Sequence, residues 1–154
     1  MNNPYATPQA DMGSQISAYQ YAGFWIRFVA SFIDSILSML ILGPIFYALY
    51  GVEYFTGQAS MGAVSTLINY VGPAIVVILF WVYKSATPGK MICGIKIVDE
   101  ATGSNPKVGQ SILRYVGYYV SAIVLLLGFF WVIWDSKKQG WHDKIAGTVV
   151  IKSN

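Results

Sequence analysis

Two long apolar runs separated by a short polar one occupy the first half of the chain. The first, FWIRFVASFIDSILSMLILGPIFYALY, extends from Phe24 to Tyr50 and is long enough to cross roughly 30 Å of hydrocarbon with some tilt. The stretch from Gly51 to Ser65 follows, with Glu53 and no basic residue. A second run, TLINYVGPAIVVILFWVY, spans Thr66 to Tyr83; Gly72 and Pro73 are expected to bend it and free a backbone carbonyl, and Trp81 and Tyr83 suit an interfacial anchor. Beyond Lys84 the pattern changes. Met91 to Val98 has strand-like composition and DEATGSNP has turn chemistry, which predicts a small hairpin or loop outside the bilayer. A third apolar run, Ile112 to Trp134, carries Arg114 near its start and Gly117 and Gly128 inside, and Gly147 to Lys152 reads as one more short strand. The predicted fold is a small all-α membrane bundle: two transmembrane helices, a third apolar segment that crosses or returns, and a short cytoplasmic β-like loop. Residues 1–20 hold no Lys or Arg and no continuous apolar run, so they read as a mobile polar tail ahead of a membrane domain over 21–152, not as a signal or transit peptide.

Basic residues bear on the topology. Arg27 precedes the first span, no basic residue separates spans one and two, five lie from Lys84 to Arg114 and four from Lys137 to Lys152. A third crossing would leave six on one face and four on the other; a return would place all ten on the cytoplasmic face, with the N-terminus there too. A return also lets GIKIV and GTVVIK share one side and pair. Against it, about 23 residues make one comfortable crossing and are too few for two, so a return needs a break near Gly117 or Gly128. Both topologies stand.

Composition agrees with a membrane protein: 55% hydrophobic, 16% aromatic and 11% charged residues, with a mean hydropathy of +0.52. A net charge of +3 fits lysines facing an anionic leaflet better than a nucleic-acid surface. The lone Cys93 forms no intramolecular disulfide, and with the lone His142 it completes no zinc site within one chain. No cofactor motif is present.

The first span is not purely apolar. Arg27, Ser31, Asp34 and Ser38 are spaced four, three and four apart, within roughly 60° of arc on one helical face. A charge at mid-helix costs about 2.5–3.5 kcal/mol toward lipid, so the stripe is expected to face protein or water. Arg27 lies about 10 Å along the axis from Asp34, too far for a bridge along the axis alone. Arg27 also reads as a positive-inside anchor, and Asp34 as interhelical packing glue. An intramembrane carboxylate is equally a site for a proton or cation, and Asn69 and the carbonyl freed at Pro73 are oxygen ligands that suit a hard cation.

TPGKM superficially resembles a phosphate loop, but Lys84 and Met91 stand where a Walker motif needs Gly and Ser or Thr, so a turn at the membrane exit is the simpler reading. WHDKIAGT sets His142 beside Asp143; sequence neighbours point apart, so an interfacial element with Trp141 as anchor and capping by His142 and Asp143 is expected in place of a catalytic dyad.

An Arg at the start of the first span, an Asp inside it and KKQGWHDKIAGTVVIK near the C-terminus together resemble the RDD family of bacterial and archaeal membrane proteins, named for one arginine and two aspartates. The resemblance covers Tyr21 to Lys152 and includes TPGKMICGIKIVD and LRY, similar to the family's Thr/Ser-x-Gly-Lys, Gly-x-x-Val and Leu-Arg signatures. Trp141 departs from it, at a position where leucine is common. Residue by residue, the arginine falls on Arg27, the first aspartate on Asp34 and the second on Asp143, with Asp135 as the alternative. The resemblance implies a multi-pass protein of a prokaryotic cytoplasmic membrane and transport of an unknown ligand, with sodium- or related cation-for-proton exchange reported for some relatives. The expected function is therefore a monovalent cation/proton exchanger. Asp34 would bind proton and cation in turn, Arg27 would tune its charge and Asp143 would gate the cytoplasmic side. Two or three spans hardly enclose a pathway, so a homo-oligomer or a partner membrane subunit is implied. The alternative is a non-transporting accessory or scaffold protein that docks a partner through the polar stripe. No nucleophile or metal cluster points to an enzyme.

Overall fold

The computed structural model describes residues 20–56, 62–124 and 126–153; apart from Gln20, the polar tail expected over 1–20 lies outside them. Helix α1 is Phe24–Tyr50, 27 residues and roughly 40 Å long, with Pro44 inside it and Gly51 in the left-handed region at its end. After the single turn α2 (Val52–Phe55), helix α3 (Ala63–Lys84) returns with Pro73 in its interior. Two helices among the described residues are long and apolar enough to cross a bilayer, and α1 and α3 supply them. Phe32, Ile36, Met39 and Leu40 on α1 and Leu67, Ile75, Val76 and Leu79 on α3 are exposed, as hydrocarbon-facing side chains are.

Ser85 stops α3 in the left-handed conformation, and Pro88 then opens the short helix α4 (Pro88–Ile92). Met91 and Ile92 thus belong to a helix, and the strand β1 begins later, at Ile95–Asp99. Of the hairpin or loop expected around DEATGSNP, the loop forms and the local hairpin does not. Asp99 instead closes a turn by accepting from the Ala101 and Thr102 amides, and β1 pairs antiparallel with the distant β2 (Thr148–Lys152), Ile95 opposite Lys152 and Asp99 opposite Thr148. Tyr21 bridges Ile151 from the other edge, so residues 20–22 are tied into the same sheet. Trp81, Ala22, Ala30, Ile95, Ile97 and Val150 form the apolar core here.

The third apolar segment has both its flanks in one sheet. It divides into α5 (Val108–Ile123), α6 (Leu127–Phe130) and a 3₁₀ turn, Trp131–Ile133, and the chain bends by 112° between α5 and the α6 stretch. Helix α5 is inside out by the standard of a water-soluble protein. Ser111, Arg114, Gly117 and Ser121 are buried, while Ile112, Leu113, Val116, Tyr119, Val120 and Ile123 face outward. Polar groups inside and apolar groups outside are what hydrocarbon demands of a helix at its edge. The last helix, α7 (Trp141–Ala146), packs against α5, so close that a Cβ on Gly117 would lie 2.8 Å from the Cα of His142.

Candidate functional site

Asp143 occupies the third position of α7, where its side chain accepts from the Gly140 amide at 2.9 Å and so caps the helix start. The same carboxylate, fully buried, takes Arg27 Nη1 on Oδ2 at 2.5 Å and Arg114 Nη1 on Oδ1. Arg27 spends its other donors on the carbonyls of Ala22 (2.8 Å) and Lys138 (2.5 Å), and Arg114 donates to Thr148 Oγ1 at 2.7 Å. The guanidinium of Arg114 also stands over the Trp81 ring, 5.4 Å from its centroid. Helices α1, α5 and α7 therefore meet on one carboxylate, and strand β2 joins them through Thr148, which accepts from Arg114. Burial alone would push Asp143 upward, but the charges of Arg114 and Arg27 together outweigh it and hold the carboxyl well below the usual range.

His142 stacks against Tyr118 and Phe129, with ring centroids 4.3 and 5.2 Å away. Burial pushes its pKa down to about 3, with Asp143 opposing and Arg114 assisting, so the ring is neutral at physiological pH. Its Nδ1 is 3.3 Å from Ser121 Oγ, and its Nε2 is 3.7 Å from Asp143 Oδ2. The order Ser, His, Asp is that of a hydrolytic triad, but the Ser121 hydroxyl is fully buried and donates to the Gly117 carbonyl at 2.8 Å, so it is not an activated nucleophile.

Asp34 is held by different chemistry. Thr87 Oγ1 donates to Oδ2 at 2.5 Å and the Gly89 amide to Oδ1 at 2.6 Å, so TPGK, read from sequence as a turn, is the element that docks on the first span. Position 89 must be glycine because a Cβ there would run into the Ala30 carbonyl and the backbone and carboxyl of Asp34. Lys90 follows, buried, with its ammonium 3.5 Å from Thr87 Oγ1.

The predicted stripe is thus split. Arg27 and Asp34 both face protein but share no ion pair, and Arg27 meets Asp143, 116 residues away. Ser31 and Ser38 are exposed on the outer surface, and Asn69 lies in α3. Asp135, the alternative second aspartate, pairs with Lys144 at 2.5 Å and caps the 137–139 backbone, apart from Arg27. Arg114, Thr148, Thr87, Gly89 and Lys90 were not among the expected site residues. Their signal was present in LRY and TPGK and in the placing of one arginine on an otherwise apolar helix. Among the described residues no group of three His, Cys, Asp or Glu is placed to hold a metal ion.

The sequence profile of the RDD family matches residues 21–147, which takes in both charged centres. The chain belongs to the RDD family. It is 32% identical over 150 residues to the uncharacterized protein YxaI of Bacillus subtilis, covering 84% of this chain and 96% of that one. It is 33% identical over 145 residues to the uncharacterized membrane protein YteJ of the same organism, covering 90% and 85%. A third relative, the uncharacterized protein RP437 of Rickettsia prowazekii, is 47% identical over 76 residues, 49% of this chain and only 42% of that protein. No solved structure matches. In this RDD protein Arg27 and Asp143 meet directly, and Asp34 binds the Thr-Pro-Gly-Lys segment.

Proposed function

We propose that this RDD protein is a non-enzymatic accessory protein of the cytoplasmic membrane that docks a partner helix along the outer face of α1. The observation that supports this most is the occupancy of its carboxylates: both oxygens of Asp34 and both of Asp143 accept from donors of the same chain. Asp143, fully buried with three donors, is not an open cation ligand, and it keeps its charge through the physiological range. The exposed serines of α1, Ser31, Ser35 and Ser38, recur along one face and let a second helix approach closely. All ten basic residues lie at or toward the sheet end of the molecule, which supports placing that end, and the N-terminus, in the cytoplasm. The test is site-specific crosslinking from Ser38→Cys in intact membranes, with Cys93→Ser as background. One stoichiometric adduct, to a second copy or to another membrane protein, is the expected result.

Cation/proton exchange is the second reading, and it draws on Asp34, a carboxylate within the first span that remains only half-buried. Liposomes holding the purified protein decide between the two. Cation-driven proton flux that disappears in Asp34→Asn would replace the docking reading, whereas silent liposomes together with a Ser38 adduct sustain it.

A further inference from the structure

Between the first turns of α1, α4, the buried face of α5, α6 and α7 lies a cleft of about 280 Å³, close to the lower end of the ~300–1,000 Å³ usual for small-molecule sites. Its walls are mainly apolar and aromatic, with Phe24, Phe28, Tyr118, Phe129 and Phe130 prominent. Three cations also line it, Arg27, Lys90 and Arg114, and no carboxylate does. Asp143 lies behind the wall and neutralises one charge for two guanidiniums.

The third charge has no such partner. Lys90 is 6% exposed, and among the described residues its ammonium has one hydrogen-bonding neighbour, the Thr87 hydroxyl at a long 3.5 Å. That hydroxyl already gives its proton to Asp34, so the carboxylate reaches the ammonium only through an intermediary. Arg114 Nε is likewise buried with no acceptor among the described residues. A buried ammonium with one weak neutral neighbour is costly, and the cost is relieved by an anion drawn into the cleft. His142, neutral at its back wall, adds no competing charge.

The mouth indicates what else the ligand carries. Phe28, Leu126 and Phe130 are exposed apolar members of the lining. A ligand therefore meets cations inside and leaves across apolar surface. The geometry points to an anionic amphiphile, one phosphate or carboxylate head on an acyl chain, seated with its head toward Lys90 and Arg114 and its chain leaving past Phe28 and Phe130. Its two sources are the phosphate of an anionic bilayer lipid and the carboxylate of a free fatty acid. This assignment does not rest on partner docking through α1; it stands on the cleft and the charge at Lys90.

The test uses the full chain, purified in an uncharged detergent and stripped of lipid, with binding read by native mass spectrometry. The probes are dioctanoyl phosphatidate, decanoate, dioctanoyl phosphatidylcholine and inorganic phosphate. A single equivalent of phosphatidate or decanoate should bind, and Lys90→Gln should weaken it about tenfold or more, the worth of one charge-assisted hydrogen bond. Phosphatidylcholine and inorganic phosphate should fail at the same concentration. Preference for phosphatidate assigns the lipid phosphate, and preference for decanoate assigns the free fatty acid. Ser31→Trp, at the rim and outside every hydrogen bond of the charged centres, should block the cleft and leave thermal unfolding unchanged. Equal binding of phosphatidylcholine or of inorganic phosphate, or indifference to Lys90→Gln, overturns the assignment. If Lys90→Gln does not fold, undiminished phosphatidate binding to Ser31→Trp overturns it alone.

Discussion

Two carboxylates join the same two parts of the molecule, the first span and the sheet end, by opposite means. At Asp143, charge is set against charge in a buried environment: one anion, two guanidiniums, and an imidazole kept neutral beside them. At Asp34, a single anion is met by a hydroxyl and a backbone amide, and the nearest cation is held off by Thr87. Removing charge from the first leaves buried cations exposed to their own desolvation cost, whereas weakening the second loses hydrogen bonds alone. The first is therefore expected to govern whether the molecule holds together, and the second how α4 is seated on α1.

The largest effect should follow Asp143→Asn, which strands Arg27 and Arg114 without a counter-ion and should cost about 3–5 kcal/mol in denaturant unfolding of the detergent-solubilised protein. A loss below about 1 kcal/mol would abolish the distinction between the two centres. Acid comes next. Because His142 has a folded pKa near 3 against an ordinary 6.5, the unfolded chain takes up a proton that the folded chain refuses, so stability falls as pH drops below about 6.5. The slope is at most about 1.4 kcal/mol per pH unit, or ~2 kcal/mol between pH 6.5 and 5, and His142→Gln should flatten that limb. Asp143 adds nothing there: its folded pKa is depressed, so its contribution is present above the ordinary carboxylate range and declines only when pH falls below about 4.

At the other centre, Thr87→Val removes the hydroxyl that Asp34 and Lys90 share and should cost about 1.5–3 kcal/mol, with chemical shifts changing in α4 and not in α7. Changes as large in α7 would mean that the two centres are one. The smallest effect is expected at the rim, where Lys137→Ala breaks a half-exposed pair with Glu100 and should shift stability by less than about 1 kcal/mol, less still in high salt.

Much of the fold was legible along the chain. Hydropathy alone marks α1 and α3, and the spacing of Arg27 and Asp34 rightly turns both toward protein. The inward face of α5 was missed, although Arg114, Gly117 and Ser121 are three and four apart on an apolar helix. What spacing does not carry is partnership. Arg27 and Asp34 share a face, yet each is satisfied by a segment more than fifty positions away, and local periodicity has no information at that range. The same holds for IKIVD, whose strand character is local and whose partner TVVIK is not. For the third segment, basic residues and strand composition favoured a return and length favoured one crossing; the pairing of β1 with β2 adds that its two flanks share one sheet.

The 116 residues between Arg27 and Asp143 also set an order of events during synthesis. The first span is made and threaded into the bilayer while the chain that carries its counter-ion is still untranslated. Until α7 emerges, Arg27 must wait at the water boundary with its guanidinium solvated, and the strand that closes the sheet follows α7. Assembly of the sheet end thus comes after insertion of the first span, and a chain cut short before residue 141 keeps an unmatched cation at the base of its first helix.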